Sequence, residues 1–195
     1  LLWIPACGGS DRPPGEIEGA RRPDAALEAA ALRQHAAVEG LEASAGAARA
    51  LPVKRILFGD LHVHTTYSVD AFAFSLPLLA GEGAHPPADA CDFARYCAAL
   101  DFFALTDHAE GLTPLHWALE RESVRQCSER SGDPADPDLV AFLGFEWTQV
   151  GQTPETHYGH KNVIFPGLGD EELPSRPISS RPDEGAGLFS GLGLV

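Results

Sequence analysis

Two histidines, His62 and His64, stand two positions apart beyond a short apolar run, with Asp60 before them and Asp70 after. Successive strand side chains point to opposite faces. Asp60, His62 and His64 would then share one face, with Leu61 and Val63 turned the other way into packing. Two imidazoles side by side suit one metal ion. Asp60 is placed as an outer partner that holds one imidazole in the right tautomer. Asp70 lies in the following loop and can turn back as an oxygen ligand. Further on, "TDHAE" sets Asp107 and His108 where a second apolar run stops, and "GFEWT" sets Glu146 after a third. Scattered surface residues do not readily explain ionisable groups at three successive strand ends.

Those groups need elements that bring them to one edge. "DFFALTD" (101–107) and "DLVAFLGFEWTQV" (138–150) are continuous apolar runs of the kind buried parallel strands show. "ADACDFARYCAAL" (88–100) reads as a helix. So does "PLHWALERESVRQCSER" (114–130), with Pro114 in its first turn. This alternation predicts an α/β domain with a parallel sheet, which binds ligands at the carboxyl ends of its strands. "GHKNVIF" (159–165) is a fourth strand with His160 at its start, the wrong side for a parallel neighbour. Only about a dozen residues separate Glu146 from His160, too few for a helical crossover. The turn signal "GQTPE" fits a β-hairpin after the third strand. A turn centred near Thr153 sets Glu146 opposite His160 and leaves His157 nearer the rim. His85 and His116, away from strand ends, are expected at the surface, as is His35 in the Ala-rich segment.

The formal net charge is −14, with 28 acids against 14 bases. That balance argues against nucleic acid as a partner, while a small phosphorylated substrate stays open because a metal supplies positive charge. No apolar run approaches the ~20 residues of a spanning helix. At the start, Ile4, Pro5, Ala6, Cys7 and Gly8 resemble a lipobox, so residues 1–7 read as the end of a lipoprotein signal peptide. Lipid on Cys7 would then be the only membrane contact. The expected location is the bacterial cell envelope, periplasmic or outer-membrane side. Residues 8–53 read as a tether and Ala-rich spacer, flexible over 8–24 and weakly helical over 25–50. Residues 54–166 hold the ordered domain, and 167–195 are rich in Gly, Pro and Ser. With Leu at position 1 and an uncapped end, the chain is expected to be truncated at both ends. Cys91 and Cys97 lie ~9 Å apart along one helix, too far to bridge. Cys127 can pair with either, or the thiols stay free and buried.

Together "DLHVHTTYSVDA", "LTDH", "GFE" and the later His resemble the ordered motifs of the PHP (polymerase and histidinol phosphatase) superfamily of metal-dependent hydrolases. More narrowly, "ADACDFARYCAALDFFALTDHAEGLTP" and the segment around "GFEWTQVG" resemble the domain-of-unknown-function 3604 family, common among bacterial lipoproteins. The likeness runs from about residue 55 to 166. It implies a distorted (β/α) TIM-like barrel, of which this chain holds the N-terminal part. It implies two or three divalent ions (zinc, manganese or iron) with His62, His64, Asp70, His108, Glu146 and His160 as ligands. His108 would bind a second ion and Glu146 would bridge ions. Asp107 would stand beside the metal without ligating. The family's later His and Asp-x-His ligands are not found, since no His follows His160. The expected activity is hydrolysis of a small-molecule ester, phosphoesters first, by a metal-activated water. The alternatives are a non-catalytic, lipid-anchored metal- or ligand-binding module and an inactive fragment.

Overall fold

Where apolar residues run unbroken, the chain forms β2 (Phe102–Leu105) and β3 (Val140–Gln149), paired in parallel with Phe103 beside Ala141 and Leu105 beside Leu143. In the computed structural model, residues 17, 20–45, 56–81 and 83–180 are described. Their four strands form one curled half-barrel sheet in the order β1-β2-β3-β4, where β1 is Gly59–Val63 and β4 is Gly159–Phe165. Four α-helices accompany it: α1 (Asp24–Ala45), α2 (Val69–Ser75), α3 (Pro87–Asp92) and α4 (Pro114–Glu129). The mixed α/β class expected from the sequence is present. The helix expected over 88–100 is α3 continued by a π-helical turn, Phe93–Cys97.

α4 starts where Thr113 caps it, its hydroxyl accepting from the His116 backbone N–H at 3.1 Å, with Pro114 at the first position. Its inner stripe, with Trp117 and Val124, packs on β3, and Trp117 meets the edges of Phe145 and Phe165. Cys127 on this stripe pairs with Cys91 of α3, so the bridge forms with Cys91 and not Cys97. Arg95 is buried beside it. Its guanidinium donates to the Cys127 carbonyl (3.0 Å) and the Ser131 hydroxyl (2.9 Å), and meets Asp138 at 3.2 Å.

The segment read as a flexible tether is docked where it is described. Ile17 sits in the core, and the Arg22 backbone N–H donates to Asp138 at 2.8 Å. The physical reason is the Asp138 carboxylate. Buried at the start of β3, it draws two guanidinium groups, one of them from Arg22. Cys7 and the signal-like residues 1–7 lie outside the described residues.

β1 departs from the expected alternation. Its pairing with β2 is irregular between Asp60 and Val63, a bulge that breaks the two-residue repeat. As the outer strand it is exposed along most of its length, so Leu61 faces solvent rather than packing. The hairpin register also differs. Glu146 pairs with Asn162, and His160 pairs with Thr148. The turn is centred one residue later than Thr153, which moves each partner by two positions and leaves His160 on the same face as Glu146. Gly159 enters β4 with φ at +72°, and a Cβ there would meet nothing within 4 Å. Gly159→Ala should therefore cost about 1–2 kcal/mol through backbone strain alone. A denaturant midpoint unchanged from the parent chain would refute this.

Candidate metal centre

The ends of β1, β2 and β3 and the start of β4 meet on one face of the sheet, and Glu146 lies at the bottom of that meeting point, 1% exposed. Its Oε2 is 2.8 Å from His62 Nε2, 2.8 Å from His64 Nε2 and 3.8 Å from His108 Nδ1. Its Oε1 contacts His160 Nδ1 and accepts from the Thr148 hydroxyl at 2.9 Å. Asp70, in the first turn of α2, comes back over the site. One oxygen lies 3.6 Å from His64 Nδ1 and the other 3.3 Å from His108 Nε2. All six residues expected as ligands therefore meet. They form three overlapping groups that can hold a metal ion: His62/His64/Glu146, His64/Asp70/His108 and His108/Glu146/His160, with the donor atoms of each within 4.8 Å of one another.

Two further observations bear on the fit of a metal. The donors are imidazole nitrogens and carboxylate oxygens, a set that suits zinc, manganese or iron. In addition, His64 Nε2 is buried close to Glu146 but without hydrogen-bond alignment, which leaves a ring nitrogen without a proper partner. The residues present fit a divalent ion.

The electrostatics are those of a ligand cluster. Burial alone would raise the Glu146 carboxyl. The hydrogen bond from His62, the charge of His108 and the hydrogen bonds from His160 and Thr148 outweigh it and hold the group down at about 2. For Asp70, burial again pushes upward. The Ala71 backbone N–H and the charges of His108 and His64 bring it below its ordinary value. Both carboxylates are thus ionised across the physiological range.

Of the two expected outer partners, Asp60 acts on the backbone and Asp107 on the loop. With the β1 bulge, the Asp60 carboxylate accepts the His62 backbone N–H at 2.9 Å rather than orienting an imidazole. The buried Asp107 carboxylate accepts from Thr65 N–H at 2.7 Å, from Thr65 Oγ1 at 2.6 Å and from Ser68 Oγ at 2.6 Å. It pins the loop between His64 and Asp70. Sequence reasoning missed Thr148, whose hydroxyl lies 3.0 Å from His108 Nδ1 and 3.3 Å from His160 Nδ1. The signal was its place two residues after Glu146, on the same strand face. His157 stays at the exposed edge, against the Gly151 carbonyl. His116 is not the simple surface residue expected: it is half-buried, stacked on Tyr67 at 4.3 Å, with Nδ1 buried and unpartnered.

Fold and site together define a curled α/β half-barrel with a histidine–carboxylate centre at its strand ends. Residues 52–132 match the family model described as "Protein of unknown function (DUF3604)". The matched span holds Asp60, His62, His64, Asp70, Asp107 and His108 and ends before Glu146 and His160. No curated protein and no solved structure matches the chain.

Proposed function

We propose that the chain carries the metal centre of a PHP-type, metal-dependent hydrolase that acts on ester bonds, with phosphoesters as the favoured class. The supporting observation is the set of three donor groups sharing His64, His108 and Glu146. Shared donors of this kind suit clustered ions better than one closed structural site, and structural zinc sites are usually closed and Cys-rich. Cys91 and Cys127 are bridged to each other, away from this cluster.

Divalent ions bound here would polarise a phosphoryl or carbonyl oxygen and make water acidic enough to attack near neutral pH. The chain's own residues hold and orient. Glu146 and Asp70 supply the negative charge that balances the ions. Thr148 fixes the ring orientations of His108 and His160. His62 and His160 are about half exposed at the rim, so a substrate can approach from solvent. The wider fold proposed is a TIM-like barrel of which this half-barrel is the N-terminal part, with the six ligands named above. The Cys91–Cys127 bridge supports an oxidising compartment, in keeping with the proposed lipid anchor at the cell envelope. Among the described residues no helix is long and apolar enough to cross a membrane.

The deciding experiment is turnover of phosphate, sulfate and carboxylic esters and amides by the chelated chain, with Zn²⁺, Mn²⁺ or Fe²⁺ restored one at a time. Phosphoester turnover that vanishes on chelation and returns with one of the ions is expected. Metal-independent turnover, or none in any class, would sink the hydrolase reading.

A further inference from the structure

Behind the metal centre, on the side covered by α4, lies a second polar cluster that the ligand set does not use. Asp107, which is wholly buried, holds Thr65 and Ser68 through the three hydrogen bonds described above. The Ser68 hydroxyl in turn accepts the His108 backbone N–H at 3.0 Å. One carboxylate therefore ties together the residue after His64, a residue two before Asp70, and the main chain of His108. These three ligands make up one of the donor groups.

α4 lays Glu120 against this knot. Glu120 is 0% exposed, and neither carboxyl oxygen has a hydrogen bond of good geometry. No ion pair found among the described residues includes it. Asp107 is among its polar neighbours. Burial first, then the charge of Asp107 and the hydrogen bond to it, push the Glu120 carboxyl well above its ordinary range. An ionised carboxylate without a cation in such a place is strongly disfavoured. The protonated form costs less and has one O–H to donate.

We propose that Glu120 is a positioning residue for the metal centre: buried from α4 beside Asp107, it holds that carboxylate and the loop over residues 65–68 in place, and so fixes the spacing of His64, Asp70 and His108. The inference rests on the metal-centre reading above. A role in packing alone would be met as well by leucine. Replacing buried polar groups with apolar ones of similar volume is often neutral or stabilising. A role in positioning would not be met, because leucine has nothing to give Asp107.

Titration of the whole chain with Mn²⁺ in a calorimeter, paired with thermal melts, separates these roles. Glu120→Gln keeps a donor and should bind Mn²⁺ within about threefold of the parent chain. Glu120→Leu should melt no lower yet bind about 10-fold or more weakly, the scale on which outer partners of metal ligands act. Ser68→Ala removes the link to His108 with little change in volume, and should also bind about 10-fold more weakly. It carries the test should Glu120→Leu fail to fold. Parent-like binding by Glu120→Leu or by Ser68→Ala overturns the inference, as does a loss in Glu120→Gln equal to that in Glu120→Leu. Absence of Mn²⁺ binding by the parent chain would sink the centre itself, an outcome distinct from equal binding by parent and variants.

Discussion

Glu146→Gln should lower the chain's affinity for Mn²⁺ or Zn²⁺ by more than about 100-fold, beyond what loss of an outer partner costs, and should reduce the number of ions held. Two of the three donor groups include Glu146, whereas His64/Asp70/His108 does not. The substitution keeps shape and removes charge. It also puts an amide N–H₂ where His62, His64 and His160 meet a carboxylate. A calorimetric titration should show residual binding at the Asp70 group alone; unchanged stoichiometry and affinity would refute the shared role of Glu146. The chelated protein offers a second readout. The folded Glu146 carboxyl lies at about 2, below its ordinary 4.5. A depressed carboxyl contributes stability that is fully present above the unfolded value and is lost as pH falls through the folded one. The parent chain should thus lose this contribution between roughly pH 4.5 and 2. Glu146→Gln should lack that part of the acid limb. Identical acid profiles would show that Glu146 does not carry it.

Four of the candidate ligands, His62, His64, His108 and Glu146, were legible because they follow apolar runs, whereas Asp70 lies in the segment after β1 and His160 at the start of β4. β2 and β3 are buried on both faces, so their sequences read as strands with little ambiguity. The hairpin was legible as a topology and mistaken by one residue in its turn. The error is forgiving because the side-chain repeat is two. Moving the turn centre by one residue shifts each partner by two, and His160 keeps the face of Glu146 as a diagonal neighbour. β1 was less forgiving. A bulge is set by local pairing geometry, which residue types do not announce, and it turned Asp60 from a presumed imidazole partner into a backbone acceptor. Arg22 was hidden for another reason. A Gly- and Pro-rich stretch reads as a tether, and nothing local discloses an acid 116 residues away that draws a buried cation. Thr148 and Glu120 belong to a third kind. Each is an ordinary residue whose role depends on what a neighbouring element brings against it.

Replacing both cysteines of the Cys91–Cys127 bridge by alanine should lower the unfolding free energy by about 4 kcal/mol, from the chain-entropy cost of opening a loop of this length. The bridge spans a separation of 36 residues and joins α3 to α4. It closes the stretch that contains β2 and its His108 end. A reductant would act on every bridge of the chain, so the paired substitution isolates this one. Arg95 adds to the expected loss. Its guanidinium lies 3.4 Å from Cys91 Sγ and donates to the Cys127 carbonyl, so loosening either helix disturbs a buried cation. The measurement is urea unfolding of parent and variant under the same conditions, with Mn²⁺ titration below the transition. The midpoint should fall steeply while Mn²⁺ affinity of the folded variant changes by less than about threefold, well short of the loss expected when a ligand's partner is removed. A stability change under about 1 kcal/mol, far below the loop-closure value, would mean that the packing of α4 on β3 carries this face without the bridge. A large loss of affinity in a variant that stays folded would mean that the bridge holds His108 as well as the fold.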